Sequence, residues 1–211
     1  MDLMSYLLEN YGYNEPIFPE DLRNNMMGKD TTLRQNLKRL TDREQIIRFD
    51  KGIYFIPRPD SLLKKKSLSV NKIIKKKYLY KEDKLIGYRT GLAFANDLNL
   101  TTQIPGMIEI ITNKETNIKR VVNLKNRRVI LRKPRINVTE KNYKLLQVLD
   151  LLTNYDKYSE KPLESAKQRI IDYLASGEMD QQEIQACIQS YPQKTKLALY
   201  ESGLWDELTR R

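Results

Sequence analysis

Residues 30–56, DTTLRQNLKRLTDREQIIRFDKGIYFI, contain the pattern that decides the fold of the N-terminal part. Leu33, Leu37 and Leu40 recur at helical spacing, and Asp30 or Thr31 before them can cap a helix. Two short segments rich in apolar residues, 46–49 and 53–56, then lie on either side of an Asp-Lys-Gly turn. The segment therefore predicts a helix followed by a hairpin of two strands.

Two more helices are predicted upstream of this segment. Apolar residues at helical spacing predict one over 3–11, and Pro19 with two acidic residues after it begins another. That second helix runs to Met26-Met27-Gly28, where Gly28 would end it. A generic three-helix bundle would not need the hairpin, so residues 1–60 are predicted to form a winged helix-turn-helix.

The helix after Asp30 has a polar outer face when its leucines point inward. Thr, Gln, Lys and Arg are side chains that bond base edges and phosphates in the major groove. Any solvated helix carries such residues, but the surrounding helices and hairpin favour contact with duplex DNA. The predicted DNA-binding residues are Thr31, Thr32, Arg34, Gln35, Lys38 and Arg39 on the helix, and Arg48 and Lys51 on the hairpin.

Charge is concentrated in the middle of the chain. The 211 residues carry a net charge of +11, and residues 61–145 contain 21 Lys and Arg against 6 Asp and Glu, whereas the segments before and after are close to neutral. A one-signed block of this kind indicates a polyanion or an acidic protein as the partner.

Prolines and the shift in charge over 57–69, which includes Lys64–Lys66, predict a boundary between a domain of residues 1–60 and one of residues 61–211. The second domain is predicted as α+β. A basic helix over 69–81 would turn Lys72, Lys75 and Lys76 mostly outward, and a polar loop would connect it to a helix over 90–98. Strands are predicted at 107–112, 118–124 and 128–133 in a small antiparallel sheet, followed by helices at 140–153, 163–175, 180–190 and 193–202.

The hairpin of the last two strands is strongly basic, and its seven cations form a candidate surface for phosphate or for antagonism of a protein partner. They are Lys119, Arg120, Lys125, Arg127, Arg128, Arg132 and Lys133.

The composition argues against most catalytic chemistry. The chain has no His and one Cys, Cys187, so zinc fingers and histidine-based triads are excluded. Asp97 and Glu109 could be placed in a nuclease-like site, but Ile111 stands where such sites have Lys, and Glu82-Asp83-Lys84 lies in the polar loop. We therefore predict no catalytic residue, no metal site and no cofactor, and keep a nucleic-acid-processing enzyme as a minor alternative.

No apolar run approaches the roughly 20 residues that span a bilayer, and the first residues lack the basic start of a secretory signal. The expectation is a cytoplasmic protein without a membrane partner.

Several segments resemble the AbiEi-type antitoxins and transcriptional regulators. They are Asp21-Leu22, the Leu37-x-x-Leu40 helix, KGIYFIP at 51–57, GLAFANDLNLTTQIP at 91–105 and IEIITN at 108–113. The resemblance covers about residues 15 to 152, and 91–105 is its specific part. Asn99 stands where Gly is expected, but Asn also tolerates the left-handed conformation that ends a helix.

The resemblance implies an antitoxin of a type IV toxin–antitoxin system in phage defence. Such a protein represses its own operon and counters a nucleotidyltransferase-like toxin without a tight complex. We expect an operator with inverted repeats, and a chain that is a monomer in solution and pairs on DNA. The alternative is a stand-alone winged-helix regulator without antitoxin activity.

Overall fold

The computed structural model describes residues 2–25, 30–59, 67–175 and 179–209. The chain divides into two compact units, Met1–Lys76 and Lys77–Arg211. Helices and small sheets together make it an α+β protein, which agrees with the predicted class. The predicted helix end at Met26-Met27-Gly28 and the Lys64–Lys66 cluster lie outside the described residues.

The first unit contains its helices and strands in the predicted order. They are α1 (Leu3–Tyr11), α2 (Pro19–Asn25), α3 (Asp30–Asp42), β1 (Ile47–Asp50), β2 (Ile53–Phe55) and α4 (Val70–Ile74). The Asp2 carboxylate caps α1 by accepting a hydrogen bond from the Ser5 amide at 3.0 Å. Leucines and isoleucines between α1 and the end of the hairpin share one core: Leu7, Ile17, Leu22, Leu37, Ile46 and Ile56.

The hairpin β1–β2 is tied to the segment between α1 and α2. β1 and β2 pair antiparallel, and Gly52 in their turn has a φ of 69°. Ile17 and Tyr54 exchange two backbone hydrogen bonds of 2.8 and 3.0 Å. This contact, which the sequence did not predict, fixes the hairpin against the three-helix core.

The predicted helix over 69–81 is shorter than expected. α4 ends at Ile74, a π-helical turn covers Lys75–Leu79, and a strand begins at Tyr80. Lys72 and Lys75 are exposed, as predicted, whereas Lys76 is partly buried. Lys72 and Lys76 both contact the α1–α2 connection. Lys72 Nζ donates to the Asn14 carbonyl at 3.1 Å and pairs with Glu15, and Lys76 Nζ donates to the Pro16 carbonyl at 3.0 Å.

The first compact unit extends to Lys76, because α4 is bonded to it, whereas the sequence predicts a boundary between residues 60 and 61. The end of the first unit at Lys76 divides the basic block. Residues 1–76 hold 15 Lys and Arg against 10 Asp and Glu, and residues 77–211 hold 23 against 17. Both units are thus net basic.

The second unit begins with strands and ends with helices. They are β3 (Tyr80–Lys81), β4 (Lys84–Leu85), β5 (Gly87–Thr90), α5 (Leu92–Asp97), β6 (Ile108–Thr112), β7 (Arg120–Leu124), β8 (Arg127–Arg132), α6 (Tyr143–Thr153), α7 (Tyr155–Tyr158), α8 (Leu163–Leu174), α9 (Gln181–Gln189), α10 (Gln193–Glu201) and α11 (Leu204–Thr209). The strands β3, β4 and β5 were not predicted. Glu82 and Asp83, predicted in a loop between helices, form the left-handed turn of the β3–β4 hairpin, and Lys84 lies on β4.

The prediction of an antiparallel sheet is wrong in one respect. The order of the four strands is β5-β6-β8-β7, and β6 and β8 run parallel. The connection after β6 places β7 at the sheet edge, so the hairpin returns β8 alongside β6 in the same direction. The sheet is therefore mixed.

The helices of this unit enclose its main core. α6 is the centre, with seven buried residues, and α8, α9, α10 and α11 contribute to the same cluster. Asn99 ends α5 with a φ of 54°, and the next amide, of Leu100, donates to the Ala95 carbonyl at 2.9 Å. The prediction that Asn serves as a left-handed helix end is confirmed. Within the described ranges, no helix has the length and apolarity needed to cross a membrane.

Candidate nucleic-acid interface

The solvent face of α3 is the part of the first unit that most resembles a binding surface. Leu37 is 1% exposed, and Leu33 and Leu40 pack against the same core, which fixes the rotation of the helix. All six predicted helix residues consequently face solvent: Thr31, Thr32, Arg34, Gln35, Lys38 and Arg39.

Asp30 organises the first turn of this face. Its carboxylate pairs with Arg23 at 2.6 Å and with Arg34 at 2.8 Å. Arg34 is thus held by an acid, although its side chain is 69% exposed. The side chains of Gln35 and Lys38 make no hydrogen bond or ion pair with any residue that the structure describes, and so remain available to a ligand.

The hairpin adds two exposed cations, Arg48 and Lys51. Lys51 stands in the β1–β2 turn, where its backbone amide donates to the Asp50 carboxylate at 2.7 Å. Gly52 follows in the left-handed conformation that this tight turn needs. Both predicted hairpin residues therefore project from a constrained element.

The seven cations predicted on and beside the β7–β8 hairpin do not share one surface. Successive residues of a strand point to opposite faces of the sheet, so the side chains of Arg127 and Arg128 lie on opposite faces. The register puts Arg127 beside Leu124 and Arg128 beside Asn123. Six of the seven are exposed: Lys119, Arg120, Lys125, Arg127, Arg128 and Lys133.

Carboxylates hold two of the seven cations, Arg120 and Arg132. Arg120 pairs at 2.8 Å with Glu115, which is 3% exposed and also accepts hydrogen bonds from the Thr116 and Asn117 amides. Arg132 pairs with Glu109 at 2.7 Å. These pairs neutralise much of the charge of both arginines. Their main role is therefore to hold neighbouring segments in place, and they contribute less to the attraction of a polyanion.

Glu109 belongs to a polar cluster that the sequence did not predict as a unit. Besides Arg132, its carboxylate accepts a hydrogen bond from the Tyr158 hydroxyl at 3.3 Å. A Cβ on Gly91 would lie 3.0 Å from Glu109 Oε1, so glycine leaves room for the carboxylate. In the portion of the chain that the structure describes, no three or more Asp, Glu, His or Cys side chains are grouped as a metal would require.

A second polar group links α6 to the sheet. The Tyr88 hydroxyl donates to Asp150 Oδ2 at 2.6 Å. Burial raises the pKa of Asp150 to about 6, and hydrogen bonds from Tyr88 and Tyr191 oppose that increase. Burial also raises the pKa of Tyr88 well above its ordinary value. The two residues are 62 positions apart, so no local pattern indicates the pair.

These observations define a protein of two units, in which a small helical unit with a hairpin exposes a polar and basic helix face. The chain belongs to DUF6088, a family of unknown function, whose model matches residues 15–183, about four fifths of the sequence. The match includes α2, α3, the hairpins β1–β2, β3–β4 and β7–β8, the Glu109 cluster and the Tyr88–Asp150 pair. A search of curated proteins found no significant match.

Proposed function

We propose that the chain is a DNA-binding transcriptional repressor of its own operon, that its first unit is a winged helix-turn-helix, and that it acts as the antitoxin of a type IV toxin–antitoxin system. The observation that carries the DNA-binding part is the solvent face of α3. A thirteen-residue helix is about 20 Å long, and the major groove of B-DNA admits such a helix.

The side chains on this face match direct readout of bases. Gln35 can bond bidentately to adenine, and Lys38 or Arg39 to guanine. Arg34 can exchange Asp30 for a phosphate at little cost, because an exposed ion pair contributes about 0–1 kcal/mol. Arg48 and Lys51 would contact the phosphates of the DNA backbone beside the groove, as the wing of a winged helix does.

A pair of double variants tests this assignment. Replacing both Gln35 and Lys38 by Ala should weaken binding to the promoter fragment by about 1–3 kcal/mol for each base-specific interaction that is removed. The control is Lys141→Ala with Gln182→Ala, which removes the same side-chain types from exposed positions of the second unit. A gel shift in which the two double variants bind equally well would refute the role of α3.

The antitoxin part of the proposal rests on the resemblance of 91–105, of the strand after it and of the basic hairpin to AbiEi-type proteins. Arg127 and Arg128 are exposed and have no side-chain partner within the described ranges. Cations on both faces of an edge hairpin could meet an acidic toxin surface or compete with the toxin for a nucleic acid. The proposal assigns no catalytic residue to the chain.

Charge reversal separates the two activities in the full-length chain. Arg127→Glu with Arg128→Glu should abolish rescue of growth from a co-expressed nucleotidyltransferase-like toxin encoded beside the gene. The repression of a promoter reporter should persist, because α3 is unchanged. Lys141→Glu with Lys157→Glu reverses two exposed lysines of the helical part as the control.

The outcomes distinguish the alternatives. If the unmodified chain represses but does not rescue growth, it is a stand-alone regulator without antitoxin activity. If the arginine variant still rescues, the hairpin does not carry the antitoxin activity.

A further inference from the structure

The outer side of α10 combines exposed apolar and charged groups in one stripe, which we call the α10 stripe: Gln193, Lys194, Leu197, Tyr200 and Glu201. Leu197 and Tyr200 are 56% and 57% exposed. Thr195 and Leu199, on the other side of the helix, are fully buried, and the Thr195 hydroxyl bonds to that of Thr153 at 2.8 Å. The helix therefore cannot rotate to bury Leu197.

Tyr200 is held in place on the surface. Its ring stacks on Trp205 of α11 with the centroids 4.4 Å apart and the planes at 17°. Leu197 lies one turn before Tyr200, so the leucine and the two rings form a continuous apolar patch along α10. An apolar patch whose side chains are held in place is more typical of a contact surface than of an ordinary solvated surface.

The charges at the two ends of the stripe complement each other but cannot meet within one chain. Lys194 and Glu201 are seven residues apart and lie on the same side of the helix, about 10 Å apart along its axis. Among residues 2–25, 30–59, 67–175 and 179–209, neither side chain has an ion-pair partner. Both charges are exposed beside the apolar patch.

We propose that the α10 stripe binds the α10 stripe of a second copy of this chain, with the two helices antiparallel across a two-fold axis near Leu197. In this arrangement Lys194 of each chain faces Glu201 of the other, and the leucines and tyrosines meet between the two ion pairs. A two-fold interface brings the same surface of both chains together. A cation at one end of the stripe and an anion at the other therefore allow two ion pairs to form across it.

The dimer should be weak. A nine-residue helix presents less surface than the roughly 800 Å² per partner of a standard interface, so a dissociation constant of about 10–100 µM is expected. The chain would be monomeric when dilute and would pair when two copies are brought together.

Charge reversal gives a test that does not disturb the fold, because both residues are exposed. K194E places like charges opposite each other in the homodimer, and so does E201K. Each single variant should therefore dimerise at least about fivefold more weakly than the unmodified chain at low ionic strength. An equimolar mixture of the two variants restores both opposite-charge pairs in a heterodimer, as K194E/E201K does in a homodimer.

Sedimentation equilibrium of the full-length chain between about 5 and 500 µM measures these constants. Leu197→Ser should also abolish association, whereas K141E and E140K, which reverse exposed charges before α6, should leave it unchanged. Recovery of dimer in the mixture and in the double variant supports the proposal. It is overturned if the unmodified chain stays monomeric throughout, if the single variants associate as well as the unmodified chain, or if mixing restores nothing.

Discussion

Asp150 should make the second unit less stable as the pH rises from about 4 to about 6. Its carboxylate is enclosed by α6, Tyr88 and Tyr191, and burial raises its pKa from 3.8 to about 6. The folded chain therefore binds this proton more tightly than the unfolded chain. The stabilisation is complete below the unfolded pKa and is lost as the pH passes through the folded one.

The size of the effect follows from the two pKa values. A difference of about two units corresponds to about 3 kcal/mol, and hydrogen bonds from the two tyrosines already reduce what burial alone would cause. Asp150→Asn keeps an acceptor for the Tyr88 hydroxyl but removes the titration. Relative to the unmodified chain, this variant should gain about 2 kcal/mol in free energy of unfolding between pH 4 and pH 7, because part of the full effect lies below pH 4.

Trp205 provides the assay, because it is the chain's one tryptophan and packs on the core of the second unit. Urea unfolding would be followed by its fluorescence at several pH values, with Asp156→Asn at an exposed position as the control. Other groups titrate equally in both proteins, so the difference between the two profiles isolates Asp150. A difference that stays constant with pH would show that the pKa of Asp150 is not raised.

Three further predictions test the core, the polar cluster and the proposed DNA contact. Leu37→Ala should destabilise the first unit by about 2–5 kcal/mol in chemical unfolding followed by circular dichroism, whereas Leu8→Ala, at a partly exposed position of α1, should cost far less. Gly91→Ala should cost about 1–3 kcal/mol, because Gly91 has a φ of 69° and its new Cβ would lie 3.0 Å from Glu109, whereas Gly106→Ala meets no atom within 4 Å and should be tolerated. Arg48→Ala, at an exposed position of the hairpin, should reduce the slope of log affinity for the promoter against log salt by about 1, because Arg48 is assigned to a phosphate; an unchanged slope would exclude that contact.

Local patterns were sufficient to predict most of the helices. The leucine stripe of α3, the turn at Gly52 and the left-handed helix end at Asn99 depend on neighbouring residues, and each lies where it was predicted. The predicted hairpin at Lys125 is also present, and Lys125 has a φ of 50°.

Features that depend on distant residues were missed. β5 is short and contains Arg89, so it has little strand pattern, and its order comes from pairing with β6. No local pattern indicates that β8 would lie parallel to β6. Lys72 of α4 is exposed as predicted, but its hydrogen bond to a carbonyl 58 residues earlier was missed.

The candidate site divides in the same way. Helical periodicity alone identifies the exposed face of α3. The carboxylates that hold Arg120 and Arg132 became apparent from the tertiary structure, since Glu109 lies 23 residues before its partner. Exposure of a basic residue can therefore be predicted from a strand pattern, but its ion-pair partner cannot.

The central claim is that this chain recognises a specific DNA sequence beside its own gene. The most direct test is a competition experiment in which full-length protein, bound to a labelled duplex from upstream of the gene, is displaced by the same duplex or by an unrelated one. We expect the upstream duplex to compete at least about 1,000-fold better at physiological salt, as specific DNA-binding proteins do. Equal competition by the two duplexes would contradict the account, because it would leave general attraction to phosphates as the sole interaction.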